Sequence, residues 1–137
     1  MDAVTSRTET IRRTPCQWSW YETVSESPGH KVQRIRVDPG QQLSLQEHLQ
    51  RSEHWVVVLG TAQISVGGRV LELTPGQHVD IAVGEVHRLG NRTGLPVEIV
   101  EIQFGADLGA DDIVRLQDDY GRNQGPTALT GPECRIT

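Results

Sequence analysis

The stretch "GQQLSLQEHLQRSEHWVVVLG", residues 40–60, combines strand-forming sequence with side chains that can ligate a metal. Residues two apart on a strand lie on the same face of a sheet. Gln46 and His48 therefore share one face, and Glu53 shares a face with Trp55 on the next predicted strand. If both faces point into a closed sheet, an amide, an imidazole and a carboxylate converge beside the core.

The sequence around this stretch has the pattern of a β protein. Residues 18–104 contain about nine short β-type runs at intervals of roughly ten residues, and Gly67–Gly68 is typical of a two-residue hairpin turn. With no alternation of helices and strands, this pattern predicts an all-β closed or double-sheet antiparallel barrel. In "ADDIVRLQDDYGR", residues 110–122, apolar residues recur at roughly helical spacing, which predicts a short C-terminal helix.

The composition is typical of one small globular domain. The chain has 137 residues, 36% hydrophobic and 23% charged, and its 14 glycines and 7 prolines favour a barrel over a helical bundle. We predict a single domain over residues 15–122, with flexible tails at residues 1–14 and 123–137.

Charge and hydropathy exclude several classes of function. The net charge of −5 argues against a nucleic-acid-binding protein. No stretch reaches the roughly 18 apolar residues of a membrane span, and the polar N-terminus lacks the apolar segment of a signal peptide. We therefore predict a cytoplasmic protein with no membrane partner.

Cys16 and Cys134 fit no metal or disulfide pattern, which predicts two reduced thiols.

Two motifs at fixed spacing run through the middle of the chain. They read G-x5-Q-E-H-x4-E-x6-G over residues 40–60 and G-x5-A-V-G-x2-H-x3-N over residues 76–91. This pair resembles the two motifs of the cupin superfamily, from which it differs by Gln46 in place of a histidine and Ala82 in place of a proline. The resemblance implies the cupin double-stranded β-helix, a jelly-roll barrel.

The resemblance extends to one branch of that superfamily. With Gln46 at the first motif position, the chain is similar to the type II mannose-6-phosphate isomerase (phosphomannose isomerase) domain, which is often fused to mannose-1-phosphate guanylyltransferase. The stretches "RSEHWVVVLGTA" and "LGADDIVRLQDDYGR" also resemble that domain, whereas Gln33 and Leu49-Gln50 replace basic residues and histidines of the family. No Gly-rich nucleotide loop precedes residue 18, so we expect a stand-alone isomerase domain without nucleotidyl transfer.

The resemblance implies a reaction and a metal site. The reaction is the interconversion of mannose 6-phosphate and fructose 6-phosphate through a cis-enediol intermediate. The implied ligands of a divalent metal are Gln46, His48, Glu53 and His87. Two imidazoles, a carboxylate and an amide oxygen suit zinc, with cobalt, manganese and magnesium as alternatives. The implied partners are a phosphosugar substrate and a second copy of the chain in a homodimer.

Four further residues are candidates for catalysis or substrate binding. Glu101 alternates with apolar residues in "VEIVEIQF" and is predicted to face the interior, where a titratable group is a candidate acid or base. Arg51, two residues before the predicted carboxylate ligand, is predicted at the mouth of the site. Lys31 begins a basic run at β spacing, which fits either a solvated strand face or phosphate recognition. The resemblance implies a role near the site for Arg115.

Two other classes of function fit the same sequence. One is a metal-binding cupin of different chemistry, such as an oxygenase or another sugar-modifying enzyme. The other is a non-catalytic sugar-binding or regulatory cupin. A fold that hosts many reactions does not decide between them.

Overall fold

The computed structural model describes residues 13–106, 108 and 113–117. Within these residues the secondary structure is entirely β. The strands are β1 (Arg13–Cys16), β2 (Ser19–Ser27), β3 (His30–Val37), β4 (Leu45–His48), β5 (Arg51–Leu59), β6 (Ala62–Val66), β7 (Arg69–Leu73), β8 (His78–Ile81), β9 (His87–Gly90), β10 (Val97–Gly105) and β11 (Ile113–Gln117).

The strands form two antiparallel sheets. A six-stranded sheet has the order β1-β2-β3-β10-β5-β8, and a five-stranded sheet has the order β11-β4-β9-β6-β7. Burial alternates along the strands: on β5, residues 51, 53, 55 and 57 are buried and the residues between them are not. Each strand therefore presents one face to the interior.

An apolar core fills most of the interior. Its fully or nearly fully buried side chains are Trp18, Ile35, Val37, Leu43, Trp55, Val57, Ala62, Ile64, Val66, Val79, Ile81, Leu89, Val97 and Ile99. Burying one aliphatic side chain of this kind stabilises the fold by about 1.5–3 kcal/mol before entropy losses. The strands that supply this core also carry the polar residues of the candidate site, which fixes the position of that site.

The glycine and asparagine of the two motifs shape the connections between strands. Gly60 has φ +75°, and a Cβ at this position would lie 2.3 Å from the carbonyl oxygen of Pro96, so a larger residue would displace the backbone. The Asn91 side-chain amide donates to the carbonyls of Val37 and Leu95 at 3.1 and 2.7 Å. These motif positions are therefore structural and hold the connections at the end of the six-stranded sheet away from Glu53.

The nine predicted strands are confirmed as β2 to β10, and β1 and β11 are additional. The predicted C-terminal helix is wrong over residues 113–117, which form β11 against β4. The apolar spacing suited a helix, but Ile113 and Val114 are β-branched, and the open edge of β4 offers backbone hydrogen bonds that a short helix cannot match. The rest of that prediction lies outside the described residues.

Three other features bear on the predictions. β1 begins at Arg13, inside the predicted N-terminal tail, while residues 1–12 and the tail at 123–137 lie outside the described residues. Cys16 is disulfide-bonded, so the prediction of a reduced thiol there is wrong. A disulfide depends on distance in space, which separation along the chain does not reveal.

No helix among the described residues is long and apolar enough to cross a membrane.

Candidate metal centre

Three strands bring the four predicted ligands together at one end of the barrel interior. Gln46 and His48 are the inward residues of β4, Glu53 is an inward residue of β5, and His87 begins β9. Gln46 lies directly opposite His87 in the β4–β9 pair, so their side chains share a face. All four residues are at most 2% exposed. The structure thus places the predicted residues side by side and away from bulk water.

The donor atoms of three of these residues lie close enough to hold one ion. Nε2 of His48 is 3.1 Å from Oε2 of Glu53, and Nε2 of His87 is 3.9 Å from Oε1 of Glu53. One ligand atom from each of the three residues lies within 4.8 Å of the others. The two imidazole rings have centroids 4.9 Å apart with planes at 46°. Two imidazoles and a carboxylate form a set of protein ligands found at catalytic zinc sites.

Hydrogen bonds orient the ligands toward a common point. Nδ1 of His87 donates to the carbonyl of Glu85 at 2.9 Å, which leaves the lone pair of Nε2 directed into the cluster. The Trp55 indole N–H donates to Oε1 of Glu53 at 2.9 Å. The Gln46 amide nitrogen donates to Ser44 Oγ at 2.7 Å. These bonds fix each side chain and determine which of its atoms can face an ion.

Two buried atoms of the cluster make no hydrogen bond in the part of the chain that the structure describes. They are Oε1 of Gln46 and Nε2 of His87. A buried acceptor without a partner costs about 1–3 kcal/mol. A cation would satisfy both atoms at once, so the residues present fit a divalent metal.

Burial keeps His87 in the form that binds a metal. Desolvation is the largest cause and, with a smaller contribution from the neighbouring His48, lowers the pKa of His87 from 6.5 to about 3. Its imidazole is therefore neutral at pH 7, with a lone pair available for coordination.

Glu101 lies beside the metal ligands on the inner face of β10, as predicted, and is fully buried. Burial, reinforced by the adjacent Glu53 carboxylate, raises the pKa of Glu101 well above its ordinary range. Its carboxyl therefore favours the protonated form more strongly than an exposed glutamate does.

Arg51 is deeper than predicted. It is 3% exposed, and its guanidinium contacts the ligands: Nη2 is 3.1 Å from Nδ1 of His48, and Nε is 3.5 Å from Oε2 of Glu53. Nη1 donates to the side-chain oxygen of Gln103 and to the carbonyl of Leu108. The prediction of a mouth position is wrong because residue 51 is an inward position of β5 and shares the face of Glu53.

The other two predicted basic residues lie nearer the rim. Lys31 is opposite Gln103 in the β3–β10 pair and lines a pocket of about 260 Å³. Arg115 is opposite Gln46 in the β11–β4 pair and therefore shares the inward face of that glutamine.

The remaining cations of the basic run have a structural role. Nε of Arg34 and Nη1 of Arg36 donate to the Glu98 carboxylate at 2.9 Å, on the outer face of the sheet. These two arginines are therefore committed to ion pairs with a largely buried carboxylate.

Sequence reasoning missed the residue that links the site together. The Gln103 side-chain oxygen accepts from Arg51, and its nitrogen donates to Glu101 and to Gln33. Gln33 in turn donates to Thr23 at 3.2 Å. Strand alternation in the sequence could have identified it, because Gln103 lies two residues after Glu101 and must share its inward face.

A comparison with protein families identifies the family of the chain. The model described as "Mannose-6-phosphate isomerase C-terminal" matches residues 4–118, most of the chain. The chain belongs to this family. The cupin assignment made from the two motifs is thereby confirmed.

Curated relatives of this family domain include a xanthan biosynthesis protein and a mannose-1-phosphate guanylyltransferase. The chain is 49% identical over 105 residues to the xanthan biosynthesis protein XanB of Xanthomonas campestris, covering 77% of this chain and 22% of that protein. It is 44% identical over 106 residues to the mannose-1-phosphate guanylyltransferase of Salmonella montevideo, with the same coverage of 77% and 22%. The chain thus spans about a fifth of the length of these curated relatives.

A solved structure supports the fold of the family domain. A Klebsiella pneumoniae protein with a double-stranded β-helix domain superposes with a TM-score of 0.65 at 23% identity, covering 80% of this chain and 92% of that one. At this identity the similarity concerns the fold, and it confirms the predicted double-stranded β-helix.

Proposed function

We propose that the chain is a metal-dependent aldose–ketose isomerase that interconverts mannose 6-phosphate and fructose 6-phosphate. The observation that supports this most strongly is the buried cluster of Gln46, His48, Glu53 and His87 in a domain of this family. Apolar side chains would fill this space at lower cost, so a polar cluster here suggests a binding role.

The four clustered side chains would hold the metal, and zinc suits this mixed nitrogen and oxygen set, with cobalt, manganese and magnesium as alternatives. When bound, a divalent ion would act as a Lewis acid toward the sugar's C1 and C2 oxygens. The first role of the protein is to keep the His87 imidazole neutral and to orient the ligands. Burial and the Glu85 carbonyl do this for His87.

Proton transfer is assigned to Glu101. The isomerisation moves a proton between C1 and C2 of the sugar, with an accompanying proton exchange at the oxygens. Glu101 is the carboxyl next to the cluster, and its raised pKa suits a group that takes up the sugar proton as a base and returns it as an acid. Its short hydrogen bond from Gln103 fixes the carboxyl's orientation.

Positive side chains complete the substrate site. Arg51, held between His48, Glu53 and Gln103, would stabilise the negative charge of the enediol intermediate electrostatically. Lys31 at the pocket and Arg115 beside Gln46 would bind the phosphate, the arginine by paired hydrogen bonds. The homodimer and the cytoplasmic location stay predictions.

The test is a coupled assay of fructose 6-phosphate formation from mannose 6-phosphate. Metal-stripped protein would be compared with protein reloaded with zinc, cobalt, manganese or magnesium, together with His48→Ala and the matched control His30→Ala. We expect turnover that requires metal, that His48→Ala abolishes and that His30→Ala retains. No turnover from protein that binds one ion per site would overturn the isomerase and leave other sugar chemistry, oxygen chemistry or sensing.

A further inference from the structure

A second pair of histidines lies on the outer surface of the barrel, behind the candidate metal centre. The rings of His54 and His78 have centroids 5.0 Å apart and planes tilted by 40°. The inner pair, His48 and His87, has nearly the same geometry, at 4.9 Å and 46°. The distance and tilt between the two imidazole rings inside the barrel are therefore repeated on its outer surface.

Strand pairing produces the outer pair. In the β5–β8 ladder His54 is opposite Asp80, and Val56 is opposite His78. The two histidines are thus diagonal neighbours on one face of the sheet, within reach of each other. Because residues 53 and 54 point to opposite faces of β5, the outer pair is separate from the inner cluster.

The distance between the rings fits two ligands of one ion. Two imidazoles bound tetrahedrally to one zinc ion, each at about 2.0–2.1 Å, place their ring centres about 5 Å apart. Small side-chain rotations would direct one nitrogen of each ring to a common point.

Asp80 supplies the support that metal-binding histidines usually have. Its carboxylate forms a short hydrogen bond with Nδ1 of His54, which leaves Nε2 as the nitrogen available to a ligand. A carboxylate that accepts from the far nitrogen of a ligating histidine fixes the ring and raises its basicity. The side chains of His54 and Asp80 are 29% and 83% exposed, so an ion and its waters can reach the pair.

We propose that His54 and His78 form a second metal site, which takes a divalent transition ion such as zinc, with Asp80 orienting His54 and water completing the coordination. This site does not depend on the proposed isomerase activity. It lies at the β8 edge of the six-stranded sheet, where a bound ion would join β8 to β5.

The five histidines of the chain allow a direct test. Zinc bound per chain would be counted by equilibrium dialysis for the full chain, His54→Ala, His78→Ala and the control His30→Ala. We expect both outer-pair variants to bind one equivalent fewer than the full chain, and the control to bind the same number. Asp80→Asn is expected to weaken this equivalent by about 10- to 100-fold without removing it.

A spectroscopic measurement identifies the residues independently. In histidine side-chain NMR spectra of the full chain loaded with one equivalent of zinc, which fills the inner site, substoichiometric Ni²⁺ should broaden the resonances of His54 and His78 and spare that of His30. Equal zinc binding in all variants, or broadening that includes His30 equally, would overturn the proposal.

Discussion

The two ends of the barrel interior are equally buried but chemically opposite. At the apolar end Val57 and Ile64 are 0% exposed, and at the polar end Gln46 and Glu53 are 1% and 2% exposed. A single strand, β5, contributes to both ends. The apolar end is stabilised by leaving water. The polar end is not stabilised by leaving water, and it keeps buried acceptor atoms that have no hydrogen bond within the described part of the chain. A bound cation would satisfy these atoms, so we interpret the polar end as a binding site.

We expect the largest effect from removing a ligand at the polar end, which should strongly weaken metal binding there. His87→Ala removes a ligand whose ring also packs edge-on against Trp55 of the core at 5.5 Å. We expect metal affinity at the inner site to fall by at least about 100-fold and isomerase turnover to disappear. Zinc competition with a chromophoric chelator measures the affinity. Retained affinity would show that the polar end is not a metal site. His30→Ala is the matched control.

A cavity at the apolar end should have the converse effect. Ile64→Ala is expected to destabilise the fold by about 2–5 kcal/mol, because the lost methyl groups leave a void in a close-packed core. Urea unfolding monitored by tryptophan fluorescence measures this loss, and zinc affinity of the folded fraction should stay within a few fold of the original value. A loss of affinity as large as that of His87→Ala would contradict the separation of the two ends.

Metal bound at the polar end should stabilise the protein, in addition to any contribution from the proposed outer site of His54 and His78. At a free zinc concentration 100 times the dissociation constant, linkage adds about 2.7 kcal/mol to the free energy of unfolding. Thermal unfolding would be measured with zinc and with a chelator. The original chain and Ile64→Ala should both be stabilised by zinc at the inner site, whereas His87→Ala should lose this stabilisation. An equal increase in all three would locate the binding elsewhere.

The pH dependence of the metal-free protein gives a smaller, graded effect. In the unfolded chain His87 takes up a proton near pH 6.5, whereas in the folded chain it stays neutral down to about pH 3. The unfolded state binds more protons between these values, so His87 makes stability fall with falling pH by up to about 1.4 kcal/mol per pH unit.

Glu101 acts in the other direction and must be separated from this effect. Its raised pKa means that the folded state keeps a proton that the unfolded state releases, so stability falls as pH rises. The difference between the original chain and His87→Gln isolates the histidine. Denaturant unfolding from pH 7 to pH 4 should show a shallower acid decline for His87→Gln, and identical slopes would contradict the buried neutral histidine.

Much of this architecture could be predicted because period-two alternation decides which side chains face inward. That rule placed Gln46 and His48 together and turned His54 away from them, as the structure confirms. The two motifs then identified His87, which alternation alone could not have joined to residues forty positions earlier. The structure adds which nitrogen of His87 faces the cluster, a consequence of the Glu85 carbonyl.

The remaining features depend on contacts between strands distant in sequence. β11 forms because β4 offers an open edge, which the spacing of residues 113–117 does not reveal. Arg51 turns inward because Gln103, His48 and Glu53 together provide enough partners to bury a guanidinium. These partners come from strands distant in sequence, so sequence reasoning placed this arginine at the mouth of the site.

The most direct test of the central claim is a crystal structure of the zinc-loaded protein with anomalous diffraction data at the zinc edge. The account predicts a peak inside the barrel within about 2.0–2.2 Å of His48 Nε2, His87 Nε2, a Glu53 oxygen and the Gln46 side-chain oxygen. A zinc-saturated crystal with no peak among these atoms would contradict the assignment of the polar end as a metal centre.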